Sequence, residues 1–172
     1  MDIRIFKKKD GSIVQLIDKE KMQDWPIELP LIFVEYIRSK QLESYGEVKK
    51  DVESYLNEVT KDVAIPRLIN VLEGKNTEEI ILALTRILEI AKKNVEMAMP
   101  IKKYLEALLK DKNKQVVKLA QDGLNEFHKA EKRKELAKKK KIMQQKEKDF
   151  LEGKITGEEY AKVRKDYLIL KE

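Results

Sequence analysis

The chain opens on short apolar segments and changes to a helical period near residue 31. Ile3, Ile5 and Phe6 stand before the dipeptide Asp10-Gly11, and Ile13, Val14, Leu16 and Ile17 stand after it. That dipeptide between two runs of β-formers predicts a hairpin. Two strands alone are barely stable, so the hairpin has to pack on something. Trp25-Pro26-Ile27-Glu28-Leu29-Pro30 then reads as an extended linker, because the residue before each proline is pushed out of the helical region. Trp25, the single tryptophan, is expected as an apolar plug over the end of the helical body.

From Leu31 the spacing of apolar residues predicts helices over 31–43, 47–60, 62–73, 77–93, 101–110 and from 114 onward. Breaks fall near Gly46, at Gly74-Lys75-Asn76 and at Asp111-Lys112-Asn113. Asn76 and Asn113 are expected N-caps, and Glu79 is placed as the second half of a capping box. Pro30, Pro66 and Pro100 recur at separations of 36 and 34 residues, the spacing of a helical repeat array. An ungapped overlay at an offset of 37 sets Leu68, Val71, Leu72, Ala83, Ile87 and Ile90 on Leu105, Leu108, Leu109, Ala120, Leu124 and Phe127. Such coincidence suits a helical hairpin whose inner faces interdigitate, with alanine where the helices come closest.

The stretch from Tyr104 through Leu105, Leu108, Leu109, Asp111, Val116, Ala120 and Leu124 resembles a HEAT repeat: paired leucines, an Asp in the turn, then Val, Ala and Leu. It departs from the family at Val117, where an Arg is usual, and the copies near 65–91 and 30–60 are fainter, with Gly74 in place of the turn Asp. The resemblance covers about 100 residues and implies an all-α fold, a short α-solenoid of about three helical-hairpin repeats over 30–127. Residues 1–29 form its N-terminal hairpin and linker in this scheme, and 128–172 a long basic helix and C-terminal helical hairpin.

Beyond Phe127 the last repeat helix has no stop signal before Glu152-Gly153-Lys154; residues 114–151 hold no proline and only Gly123, enough for one helix of roughly 55 Å. Leu136, Met143 and Phe150 recur every seven residues, and Thr156-Gly157-Glu158-Glu159 is a capping box that opens a further helix. Tyr160, Val163, Tyr167 and Leu170 follow in that helix as a coiled-coil seam able to zip back along Phe150, Met143 and Leu136. The segment from Asp149 to Tyr160, with Lys165 and Leu168 beyond it, resembles the short C-terminal helical hairpin called SHOCT, which implies oligomerisation or partner binding.

Charge sharpens this division. Residues 1–127 balance at 22 basic and 22 acidic residues, and 128–172 carry 15 and 9, so the whole excess of +6 lies in the tail. Lys129, Lys132, Arg133, Lys134, Lys138, Lys139, Lys140, Lys141, Lys146 and Lys148 make a basic arm, a candidate contact for phosphates or an acidic partner. Only 6 of the 37 basic residues are arginine, and no aromatic lies between Phe127 and Phe150 to stack on a base, which weighs against nucleic acid. Absence of cysteine excludes disulfides, thiol nucleophiles and iron–sulfur clusters, and one histidine, His128, leaves little for a metal site or a triad. Glu78-Glu79 and Glu158-Glu159 pair carboxylates, but in first turns, where acids complement the helix dipole. No cofactor, metal or catalytic residue is expected. The longest apolar run is Ile80 to Leu84, far short of the ~20 residues of a spanning helix, and the N-terminus lacks a signal-peptide core, so a cytoplasmic protein without a membrane contact is expected. The leading expectation is a non-catalytic scaffold that binds a protein partner through its solenoid and a second partner or another copy through its C-terminal hairpin; the alternative is a nucleic-acid binder using the arm at 129–148.

Overall fold

In a computed structural model, which describes residues 2–172, β1 (Ile3–Lys7) and β2 (Ile13–Ile17) pair antiparallel, with Ile3 opposite Ile17 and Lys7 opposite Ile13. The Asp10 carboxylate holds the turn, accepting from the Ser12 N–H at 2.9 Å and from its hydroxyl at 2.6 Å. Alternation along the strands sends Phe6, Val14 and Leu16 to one face, and all three are buried. They join Met22, Val34, Val52, Leu56 and Val59 in one apolar core around Tyr55. The Tyr55 ring meets Phe6 at 5.9 Å between centroids, lies under the Arg4 guanidinium at 5.7 Å, and its hydroxyl donates to the Ile17 carbonyl at 2.7 Å. The hairpin therefore packs on the helices, and its inner face supplies one wall of the core. One unit runs to Leu124 and a second from Asn125 to Glu172.

The segment expected as an extended linker is instead a series of turns: the Trp25 N–H donates to the Met22 carbonyl at 3.2 Å and the Leu29 N–H to the Pro26 carbonyl at 3.0 Å. Arg67 gathers the carbonyls of Met22 and Trp25, and this tertiary pull overrides the local preference for extension. Trp25 is half-buried, its ring edge-on to Phe33 at 6.1 Å. Arg4, Arg67 and Arg86, whose guanidinium donates to Glu28 at 3.0 Å, thus each tie residues 1–28 to the helices. Lys19 adds an ion pair to Asp62 at 2.6 Å, the main cause of its raised pKa, and a second to Glu58 at 3.2 Å.

Helix α1 (Leu29–Tyr36) passes through a π turn (Ile37–Gln41) and a 3₁₀ stretch (Leu42–Val48) that breaks at Gly46, where φ is +60°. The expected break between 60 and 62 is absent. Helix α2 (Lys49–Val59) continues through a π turn (Thr60–Ala64) into α3 (Ile65–Leu72). Pro66 explains the wide turn: it lacks an N–H and its ring crowds the carbonyl four residues back, so the helix opens instead of stopping. After α4 (Thr77–Lys93), capped by the Asn76 side chain on the N–H groups of Glu78 and Glu79, come a short α5 (Val95–Ala98), a 3₁₀ turn carrying Pro100, and α6 (Lys102–Leu108). Helix α7 (Lys114–Leu151) is capped by Asn113 and spans both units. At Gly123 it crosses Leu105 so closely that a Cβ there would lie 2.8 Å from Leu105 Cδ1. Of the overlaid positions, Leu68, Leu72, Ala83, Ile87, Leu105, Ala120, Leu124 and Phe127 are buried, but Leu109 is exposed because α6 ends one residue before it. Helix α8 (Gly157–Lys171) opens on the Thr156 capping box, both reciprocal bonds present.

Burial, with the Asp18 carboxylate as the next cause, pushes the Tyr55 phenol up to about 12. The unfolded chain ionises this phenol from pH 10 and the folded one does not, so stability is complete below pH 10 and is lost as pH rises toward 12. Tyr55→Phe is expected to lower stability by about 1 kcal/mol at pH 7 through loss of the Ile17 hydrogen bond. Thermal melts from pH 8 to 12 should show the wild type losing its margin over Tyr55→Phe above pH 10.

Candidate functional site

Helix α1 is apolar on nearly every side, with Glu35 as its one charged residue. One side buries Leu31 and Val34, and helical spacing places Leu29, Ile32, Phe33 and Tyr36 together on another. Phe33 is half-buried beside Trp25, while Leu29, Ile32 and Tyr36 are 38, 47 and 53% exposed. An uncovered stripe of this kind on a surface helix, where polar residues are the rule, is a candidate contact surface. It was missed in the sequence, where the run Leu31-Ile32-Phe33-Val34 reads only as a strong helix; the signal was the lack of any polar side from Leu29 to Val34.

A small groove lies between α1 and α4, floored by Leu31, Val34 and Ile90 and edged by Arg38, Arg86 and Lys93. Each cation on the rim already has an anion: Arg38 donates to Glu53 at 3.0 Å and to Asn57 at 2.5 Å, Arg86 to Glu89 at 2.9 Å and Glu28 at 3.0 Å, and Lys93 to Glu35 at 3.4 Å. These hydrogen bonds, Glu89 first, raise Arg86 above its ordinary value. A groove whose charges are satisfied internally has no surplus field to hold a charged substrate.

In the second unit, every residue of the expected basic arm lies on α7. At 100° per residue, Lys129, Lys132, Arg133 and Lys140 share one side and Lys134, Lys138, Lys141 and Lys148 another, so the arm is a sleeve of charge and not one face. Lys139 and Lys146 depart from it: both are half-buried, and they alternate with Leu136, Met143 and Phe150 along a single heptad stripe. Their aliphatic stems complete the seam while the charged heads reach out, and Lys139 pairs with Glu135 at 3.7 Å.

The other half of the seam lies on α8, where Tyr160, Val163, Tyr167 and Leu170 are the half-buried positions. Phe150 and Tyr160 come together as a stacked pair, centroids 5.6 Å apart and planes 8° from parallel, and the Tyr160 hydroxyl donates to Glu147 at 3.4 Å. Gly157 leaves room for the Phe150 ring, 3.6 Å from where a Cβ would stand. No residue from 128 to 172 is fully buried, and Ile142, Leu151, Leu168 and Ile169 are exposed.

No family model, curated protein or solved structure matches this chain. Its chemistry must be read from its own residues. Among the described residues there is no cluster of three or more metal-ligating side chains, and no buried side-chain nitrogen or oxygen lacks a hydrogen-bond partner. No helix among them is long and apolar enough to cross a membrane. His128 is exposed on α7. The arrangement offers apolar contact on α1 and positive charge on α7.

The Phe150–Tyr160 stack pins the two helices of the second unit's hairpin beside their turn, and aromatic pairs contribute about 1 kcal/mol beyond their burial. Tyr160→Ala is expected to speed amide hydrogen exchange in α8 by roughly fivefold or more, read by mass spectrometry at pH 7. Unchanged exchange would mean that the stack does not hold the hairpin closed.

Proposed function

We propose that this chain is a non-catalytic protein–protein interaction scaffold of the cytoplasm, a HEAT-like helical body that engages a protein partner and carries a SHOCT-like C-terminal hairpin for a second contact or self-association. The observation that supports this reading most is the exposed stripe of Leu29, Ile32 and Tyr36 beside the half-buried Trp25–Phe33 pair. Large aromatics next to branched aliphatics on a rigid helix are the composition of binding hot spots. The carboxylates that line the groove beside it, Glu35 and Glu89, are held by Lys93 and Arg86.

The alternative reading, contact with nucleic acid, is supported by the eight arm residues that stand exposed on α7. Charge spread around a helix suits phosphate attraction without base readout, so such binding would be non-specific and steeply salt-dependent.

A photo-reactive side chain at position 32 should cross-link in cells to a discrete protein, and the adduct should vanish in Leu29→Lys/Tyr36→Lys with little change in melting temperature. Absence of any adduct at 32, or its survival in that variant, would remove the stripe as the partner site. Fluorescence anisotropy with duplex DNA and single-stranded RNA at low and physiological salt separates the alternative: tight, salt-sensitive binding by the full chain and none by residues 1–127 would assign the arm to nucleic acid.

A further inference from the structure

The sleeve of charge on α7 has one side without acids. In the heptad frame set by Leu136, Met143 and Phe150, the carboxylates of Glu135, Glu147 and Asp149 occupy the two positions that flank the seam. The positions on the far side of the helix hold Lys134, Lys138, Lys141 and Lys148, separated only by Ala137, Gln144 and Gln145, and all seven are exposed. Glu131 stands just before this row, and Asp149 touches its edge by accepting from the Gln145 amide at 3.0 Å. Among the described residues no carboxylate pairs with Lys138, Lys141 or Lys148, whereas Lys129 is held by Glu126 at 2.8 Å and Lys139 by Glu135 at 3.7 Å. The acids of α8 are on the helix across the seam.

The row runs about 21 Å along the helix at 1.5 Å per residue. Its one apolar residue is Ala137, so a partner helix or sheet would find no surface there to bury. What the row offers is four ammonium groups and two amides. Ammonium groups attract phosphates as point charges and lack the planar fork that reads a base edge. A duplex carries one phosphate for about every 1.7 Å of its axis, so a row of this length meets more anions than it has cations in any register.

We infer that this far side of α7 is the surface that holds the phosphate backbone of nucleic acid, with Lys134, Lys138, Lys141 and Lys148 as the contacts and the other arm cations adding only to the surrounding field. The inference rests on the nucleic-acid reading above and narrows its contacts to these four residues.

Fluorescence anisotropy of labelled duplex DNA, titrated with the full chain over a series of salt concentrations, is expected to give a slope of log affinity on log salt of roughly −3.6, about 0.9 for each of four phosphates. Lys134→Gln/Lys138→Gln/Lys141→Gln/Lys148→Gln should weaken binding at low salt by about thirtyfold or more and flatten the slope. Lys162→Gln/Arg164→Gln/Lys165→Gln/Lys171→Gln, which removes the same charge from α8, should weaken it by less than about threefold. Glutamine matches lysine and arginine in helix propensity, so both variants keep their helices. Equal weakening by the two variants would make net charge the determinant and overturn the far-side assignment while leaving the nucleic-acid reading in place. A first variant that binds like the wild type overturns the assignment too, and so does a slope of about −7, which would engage all eight exposed arm cations. A wild type that binds no DNA even at low salt removes the inference and the nucleic-acid reading together.

Discussion

The first unit depends on the burial of Phe6, Val14 and Leu16 against α2, an arrangement centred on Tyr55. A hairpin of five-residue strands has too little surface to hold itself together, and α2 without the hairpin would present Val52, Tyr55, Leu56 and Val59 to water. Each solves the other's problem. Tyr55 joins the apolar and polar parts of that solution: its ring fills the core, and its hydroxyl reaches the Ile17 carbonyl on an edge strand, where no further strand could satisfy it. The arginines then act at the margins of the same joint, which accounts for their use in a chain that otherwise chooses lysine. Arg67 and Arg86 each bridge two acceptors through the separate nitrogens of a planar guanidinium.

The second unit is held differently. Its seam is one side chain wide on each helix, and every second position along the α7 half is a lysine. Local terms carry much of the weight: the reciprocal Thr156 and Glu159 cap, the Phe150–Tyr160 stack, and pairs one turn apart such as Glu135 with Lys139. Weak internal packing leaves Leu168, Ile169 and Leu151 exposed to solvent.

Much of the architecture was legible in the sequence. Asp10-Gly11 and its flanking β-formers located the hairpin, Asn76, Asn113 and Thr156 located helix starts, and the heptad spacing of Leu136, Met143 and Phe150 located the stripe on α7. What escaped were features that depend on tertiary partners. The turns at Trp25–Leu29 form because Arg67, some forty residues away, collects two of their carbonyls. The continuous path from α2 to α3 exists because a π turn relieves Pro66, where the sequence predicts a separate helix over 62–73. Lys139 and Lys146 look like two more charges of the arm, and only the course of α8 makes them part of the seam. Of the surface features, the arm was visible as composition, whereas the exposed α1 stripe was hidden in a plain hydrophobic run, because whether an apolar residue is buried depends on its tertiary neighbours.

Native-state hydrogen exchange of the full chain tests the central claim, that hairpin and helices of the first unit are one cooperative body. The account predicts that amides paired between β1 and β2 share the protection of α2 and α3 and are released together with them by low denaturant, well above the level of α8. Strand amides that exchange as fast as those of α8 would contradict it and make the hairpin a loosely attached arm.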